Sequence, residues 1–239
     1  MILRIIQGEN QMTAFFPKLL DEFITLDSLK KVRGKFHFGE DQVEEIREVA
    51  EEMLPVMREE AFWMRWTYLA QNKFQAENDN TEYENVIMSL GNGVDYLQES
   101  YSEKGFLLQS YIVEVLAGEL LMRGYDAYNR YIMEHTVKHV ARYHFPGSED
   151  TLPLEMLPGL LKEFTQKITC NGAFCMRPKK SVVFIAELTQ DETVFCEGIC
   201  VGCTNRSCTN RIEDNMLRKN QMTDVPLTYG YRRIFGIVT

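Results

Sequence analysis

Apolar side chains recur at helical spacing in the first part of the chain. Residues 13–30 and residues 41–54 each carry them three and four positions apart, and this period predicts two amphipathic helices separated by a break at residues 34–39. Pro55 is expected to end or kink the second helix, because proline has no N–H group and its ring clashes with the preceding turn. The aromatic-rich residues 56–70 fit either a helix or a strand.

Runs of β-branched and apolar residues predict strands later in the chain. Residues 86–90 form a short apolar run that stops at a Gly-Asn-Gly turn, and residues 181–188 have the composition of a buried strand. Residues 106–142 have the period of a long helix, in which Gly124 is a candidate break. The remaining segments predict an exposed polar loop at 75–85, a short helix interrupted by Pro158 at 154–166, and a late strand or extended arm at 225–238. The pattern favours one mixed α+β domain preceded by a helical arm.

The amino-acid composition argues against several classes of function. The 239 residues carry a formal net charge of -9, so the overall balance lacks the cationic surface that non-specific nucleic-acid binding requires. No apolar run approaches the roughly 18 residues of a membrane span, and the opening residues lack the basic leader of a secreted protein. We therefore expect a cytoplasmic protein with neither a nucleic-acid partner nor a membrane partner.

All six cysteines lie in the last third of the chain, and four of them, Cys196, Cys200, Cys203 and Cys208, fall within thirteen residues. A Cys-x-x-Cys turn brings two sulfur atoms near one ion, and thiolates are preferred ligands of zinc and of iron-sulfur clusters. The spacing predicts a metal centre and does not choose between these two. The alternative is a loop of reduced thiols without a ligand, which would be prone to oxidation.

Two other pairs of residues carry weaker signals. Cys170 and Cys175 are expected to have a packing role, with a redox pair or a substitute metal ligand as alternatives. His135 and His139 are four residues apart on the predicted long helix, where a metal pair competes with the more ordinary role of solvated or helix-end histidines. Neither a glycine-rich phosphate loop nor a nucleophile elbow is present in the sequence.

Three segments together resemble a known family. Residues 89–121 contain a Leu-Gly turn, a following Val-Asp and a helix; residues 144–156 contain a Pro-Gly loop and Leu-Pro-Leu; and residues 174–188 contain Met-x-Pro followed by Ser-Val and a strand. With the terminal cysteine cluster, this order is similar to the activation (reactivation) domain of cobalamin-dependent methionine synthase, in the stand-alone form of anaerobic bacteria. The resemblance covers residues 38–212, which leaves a helical arm at 1–37 and an extension at 213–239.

The resemblance implies a C-shaped α+β domain with a twisted antiparallel sheet and flanking helices. Members of the family help to return inactive cob(II)alamin, carried by a corrinoid-binding methionine synthase or methyltransferase, to methylcobalamin. S-adenosylmethionine supplies the methyl group, and flavodoxin or ferredoxin supplies an electron. The resemblance places cofactor binding at Arg142, Tyr143, Pro146 and Gly147 and a metal centre at the cysteine cluster, as part of a methyltransferase system.

Three positions depart from the family pattern. Tyr143 stands where the family has an arginine, Ser148 where it has a tyrosine, and Met122 where it has a glutamate, while Arg142 lies one position out of register. An arginine fork and a carboxylate are the groups that would bind the charged methionine end of the donor. The alternative hypothesis is therefore a fold that no longer binds S-adenosylmethionine and acts as a zinc-stabilised binding or regulatory module.

Overall fold

The computed structural model describes residues 24–67, 82–162 and 167–194, together with Leu19, Asp21 and Ile199. Within these residues the helices are α1 Leu26–Lys35, α2 Val43–Glu60, α3 Asn92–Glu103, α4 Leu107–His135 and α5 Leu157–Leu161. The strands are β1 Phe62–Thr67, β2 Glu82–Ser89, β3 His139–His144, β4 Thr169–Cys170, β5 Met176–Arg177 and β6 Ser181–Thr189. Single turns of 3-10 helix lie at Glu40–Gln42 and Leu154–Met156.

Four strands form an antiparallel sheet in the order β1-β2-β6-β3. β2 pairs with β6 along the whole length of β2, and β3 pairs with β6 on its other side, where the register shifts between Val140 and Arg142. Because successive side chains of a strand point to opposite faces, each strand contributes to both sides of the sheet. β4 and β5 form a separate two-stranded hairpin.

Helices α1 to α4 cover one face of the sheet. Their apolar stripes pack against Trp63, Val86, Phe184 and Ala186 to form the helix-side core. α4 contributes the most buried positions, because its apolar side chains recur at helical spacing from Ile112 to Ile132. α1 belongs to the same core, since its Leu29 and Val32 are buried there. None of the helices in the described part of the chain has the length and apolar character needed to cross a bilayer.

A smaller second core covers the opposite face of the sheet. Here the alternate residues of β1, β2 and β6 meet the segment after β3, which includes α5; the buried members are Phe62, Ile87, Leu152, Leu157, Leu160, Leu161, Ile168, Val183 and Ile185. Coverage on both faces explains why residues 183–186 of β6 form an unbroken apolar run instead of an alternating one.

The structure confirms most of the elements predicted from periodicity and corrects their ends. The helix predicted at 41–54 is α2 Val43–Glu60, and the strands predicted at 86–90 and 181–188 are β2 Glu82–Ser89 and β6 Ser181–Thr189. Pro55 does not end the helix, which was one of its two expected effects: α2 continues to Glu60, because the ring is exposed while buried side chains on either side hold the helix to the core. The fold class is α+β, as predicted: the described residues form helices and an antiparallel sheet.

Three other boundaries also differ from the prediction. α1 continues through Gly34. The polar segment 82–85 is the start of β2 instead of a loop, because its backbone pairs with β1 and β6. The long helix passes Gly124 without a break and ends at His135, so Arg142 lies on β3. The extension at 213–239, the segment 225–238 and most of the arm at 1–37 lie outside the described residues.

A charged network lies inside the helix-side core, between β1, β2 and α4. Glu84 accepts a hydrogen bond from the Arg65 guanidinium at 2.6 Å through one carboxylate oxygen and from the Tyr128 hydroxyl at 2.8 Å through the other. The Glu84 side chain is 8% exposed. Burial and the Glu84 charge raise the pKa of Tyr128 well above its usual value, so the hydroxyl stays protonated and remains a donor. Both oxygens of this buried carboxylate therefore have partners.

We expect Tyr128→Phe to lower the free energy of unfolding by about 1.5–3 kcal/mol, since a buried carboxylate oxygen loses a hydrogen bond. The matched control is Tyr111→Phe, because Tyr111 is about half exposed and keeps its ring contact with Phe38. That control should change stability by less than about 0.5 kcal/mol. Urea unfolding followed by circular dichroism measures both, and equal effects would show that the Tyr128–Glu84 hydrogen bond contributes nothing to stability.

Candidate functional site at the Pro-Gly loop

The four residues implied as cofactor-binding lie at the end of β3 and in the loop that follows it. We call residues 145–152 the Pro-Gly loop; it contains Pro146 and Gly147. Arg142 and Tyr143 are neighbours on β3 and point to opposite faces of the sheet. The Tyr143 ring is buried in the helix-side core, and its hydroxyl donates to the backbone carbonyl of Tyr125 at 3.2 Å. The structure therefore brings Arg142 to the loop side of the sheet and takes Tyr143 away from it.

The Pro-Gly loop is closed by its own backbone. The Gly147 N–H donates to the Leu152 carbonyl at 2.8 Å, the Ser148 N–H donates to Phe145 at 3.0 Å, and the Leu152 N–H donates to Glu149 at 3.0 Å. Gly147 has a φ of 84°, in the left-handed region that glycine adopts without a steric penalty. The Ser148 hydroxyl donates to the same Phe145 carbonyl at 2.7 Å. Ser148 therefore stabilises the turn. The family that the sequence resembles has a tyrosine at this position.

A polar cluster joins the Pro-Gly loop to the sheet. Its centre is His144, whose Nδ1 lies 2.8 Å from a Glu149 carboxylate oxygen and whose Nε2 lies 3.1 Å from a Glu187 carboxylate oxygen. The Arg142 guanidinium lies 4.0 Å from the same Glu149 oxygen. The Tyr83 ring packs near the imidazole, with 6.2 Å between ring centroids. We call these five residues the loop-sheet cluster.

The cluster shifts two pKa values. Burial alone would lower the pKa of His144, but its hydrogen bonds to Glu187 and Glu149 and the charges of both carboxylates outweigh burial and raise it above the ordinary value. Burial and the Glu187 charge raise the pKa of the Tyr83 hydroxyl. The carboxylates therefore favour a protonated imidazole and a neutral phenol.

The three segments that carry the family resemblance meet around β6. The turn at the start of α3 contacts the chain before β6: the Leu90 N–H donates to the Lys180 carbonyl at 2.9 Å, and the Lys179 N–H donates to the Asp95 carboxylate at 2.7 Å. The Ser181 hydroxyl donates to that of Ser89 at 2.8 Å. The loop-sheet cluster attaches the Pro-Gly loop to the other end of the same strand.

The predicted metal ligands Cys196, Cys200, Cys203 and Cys208 lie outside the described residues. Ile199, which falls between the first two in the sequence, packs against the helix-side core. In the part of the chain that the structure describes, no group of three or more His, Cys, Asp or Glu side chains is arranged to hold a metal ion.

The cysteine pair Cys170 and Cys175 and the histidine pair His135 and His139 lie in different parts of the structure. Cys170 is half-buried against the second core, as expected for packing, but the same expectation for Cys175 was wrong because its side chain is exposed. Both thiols are free and flank the turn of the β4-β5 hairpin. His135 ends α4 and stacks on Tyr131, whereas His139 lies on β3. The two histidines therefore do not share a helix face.

Of the five members of the loop-sheet cluster, only Arg142 was expected from the sequence; the four that were missed are Tyr83, His144, Glu149 and Glu187. Tyr83 and Glu187 lie directly opposite each other in the β2-β6 register. The sequence pattern did not indicate this pair, because Tyr83 falls in the polar segment predicted as a loop and Glu187 follows an apolar run. Nothing in the linear sequence indicates that Glu149 folds back onto His144. No protein-family model matches the chain, and no curated protein matches it at a significant level.

We expect Gly147→Ala to lower the free energy of unfolding by about 1–3 kcal/mol, the cost of holding a side chain in the left-handed region. An added Cβ at Gly147 would also lie 3.2 Å from the Leu154 Cβ. The matched control is Gly159→Ala in α5, where an added Cβ meets nothing within 4 Å and alanine favours the helix. Thermal unfolding should separate the two variants, and equal stability would mean that the turn tolerates a side chain.

Proposed function

We propose that the protein is an accessory protein for the reductive reactivation of a corrinoid-dependent methionine synthase or methyltransferase. In this proposal the Pro-Gly loop and the strand that carries it face the corrinoid-carrying partner, and the cysteine cluster holds an iron-sulfur or zinc centre. An iron-sulfur centre would take an electron from flavodoxin or ferredoxin and pass it towards cobalt, and S-adenosylmethionine would supply the methyl group.

The observation that carries the proposal is the meeting of the three resembling segments on one strand. They are far apart in the sequence, yet residues 89–95 and residues 144–152 are each hydrogen-bonded to residues 178–187. An α+β fold with an antiparallel sheet is also what the resemblance implies.

The residues present fit the methyl donor only in part. Arg142 reaches the loop side of the sheet, but its guanidinium faces Glu149, and the Tyr143 hydroxyl is bonded to the backbone of α4 on the other side. Met122, where the family has a glutamate, packs against the helix-side core. The four expected positions therefore do not converge on one surface, because Tyr143 faces the helix side of the sheet and Arg142 the loop side.

This partial fit favours a second candidate function. The fold would then be a binding or regulatory module stabilised by zinc at the cysteine cluster, without donor binding. Both candidates place a metal at the same thiolates and differ in the identity of the metal and in the response to S-adenosylmethionine.

We expect protein prepared without oxygen to contain iron and sulfide and to absorb broadly in the visible range. Cys203→Ser should lose this absorbance, because it removes a thiolate of the Cys-x-x-Cys pair. Cys175→Ser should keep it, since Cys175 is a free, exposed thiol of the β4-β5 hairpin. Metal analysis distinguishes the two candidate functions: stoichiometric zinc in a colourless protein supports the binding module and excludes the electron relay.

We expect the wild-type protein to accelerate the reduction of cob(II)alamin on a corrinoid methyltransferase by a low-potential reductant. The visible and paramagnetic resonance spectra of cobalt report the rate. Cys203→Ser should abolish the acceleration, whereas Cys175→Ser should retain it. An equal rate with and without the protein would contradict the proposed function.

Calorimetric titration with S-adenosylmethionine separates the two candidates within the same preparation. Saturable binding supports the reactivation role and excludes the module without a donor site. Absence of heat, together with zinc in the protein, supports the module.

A further inference from the structure

Only the protonated form of His144 can donate a hydrogen bond to both of its neighbours. Its two ring nitrogens face carboxylate oxygens of Glu149 and Glu187, at 2.8 and 3.1 Å. Carboxylates can only accept hydrogen bonds, and a neutral imidazole has a single N–H to donate. The imidazolium alone donates to both. The His144 side chain is 5% exposed, so water does not readily replace a lost partner.

The charges around the imidazole balance only when it is protonated. Glu187 faces it from β6, Glu149 from the Pro-Gly loop, and the phenol of Tyr83 from β2. Arg142 on β3 contributes a cation next to Glu149. Two carboxylates then meet two cations. A neutral His144 leaves one negative charge in excess in a half-buried cluster, which is unfavourable in a medium of low polarity.

The same interaction links the Pro-Gly loop to the sheet. Glu149 lies at the middle of the loop, and its backbone carbonyl accepts the Leu152 N–H that helps to close it. Its side chain reaches back to His144, the last residue of β3. Leu152 is buried in the second core, so the far end of the loop is anchored independently. Phe145, at the near end, is anchored by ring contacts with Phe184 and Tyr125. Between these two anchors, the Glu149 side chain ties the loop to the sheet through His144 and Arg142.

We propose that His144 is a proton-operated clamp: the imidazolium holds the Pro-Gly loop against β6 through Glu149 and Glu187, and loss of its proton releases the loop. This inference goes beyond the proposed function, because it concerns the conformation of the loop whatever the loop binds. Arg142, Pro146 and Gly147 would change their relative positions with the clamp.

The direction of the pH dependence follows from the raised pKa of His144. A group whose folded-state pKa is raised stabilises the fold fully below the pKa of the unfolded chain. That stabilisation is lost as the pH rises through the folded-state value. The clamp is therefore closed at slightly acidic pH and opens towards alkaline pH.

Nuclear magnetic resonance of the full chain tests the clamp. The chain has four histidines, so His37, His135 and His139 serve as internal references for the imidazole of His144. We expect the His144 imidazole to titrate with a midpoint above the ordinary histidine value, and the amide signals of Gly147 and Ser148 to shift with that same midpoint. Hydrogen-exchange protection of the Gly147 amide should fall about tenfold across it, which corresponds to losing one hydrogen bond to a charged group.

Three variants separate a clamp from a merely structural histidine. Glu149→Gln and Glu187→Gln should each move the His144 midpoint downwards, and His144→Gln should remove the pH dependence of the loop amides. His139→Gln, on the same strand, should leave the His144 and loop midpoints unchanged. Loop amides that do not follow the His144 midpoint in the wild-type protein would overturn the proposal, and this measurement needs no variant to fold.

Discussion

β6 is buried on both faces and hydrogen-bonded along both edges, and the remainder of the fold depends on that constraint. Residues 183–186 pack alternately into the helix-side core and the second core, while β2 pairs with residues 181–188 on one edge and β3 with residues 185–189 on the other. A backbone in this position cannot use water as a hydrogen-bond partner, so the pairing is obligatory. The strand is therefore fully paired and buried only when β2, β3 and both cores are in place around it.

The same burial restricts the polar residues beside the strand. Glu84 lies on the helix side and His144 on the other side, and each is almost completely buried. A buried charge without a partner costs several kcal/mol, whereas a paired one is close to neutral. Glu84 satisfies both its oxygens with Arg65 and Tyr128, and His144 satisfies both its nitrogens with Glu149 and Glu187. The two networks differ in what they hold: the first joins rigid elements, and the second holds a loop.

This difference makes the Pro-Gly loop a part of the molecule that is suited to binding. Loops positioned by a rigid scaffold commonly carry binding residues, because they can adjust without disturbing the core. The Pro-Gly loop has such a scaffold in β3 and β6, and the segment after β6 leads towards the cysteine cluster along the chain. An electron relay and a partner-binding loop would thus be joined through one strand. The proposed reactivation role needs both elements, whereas a zinc-stabilised module needs only the cluster.

The sequence by itself determined the α2 helix, the strands at 86–90 and 181–188 and the mixed α+β class, because hydrophobic periodicity reflects local geometry directly. It also indicated the metal-type spacing of the cysteines and the glycine of the Pro-Gly turn. Only the tertiary structure decided that α2 passes through Pro55, that Arg142 and Tyr143 face opposite sides, and that Glu149 and Glu187 meet at His144. These outcomes depend on strand order and on packing between distant segments. Local patterns carry no information about such contacts, because the partners lie 43 residues apart in the case of His144 and Glu187.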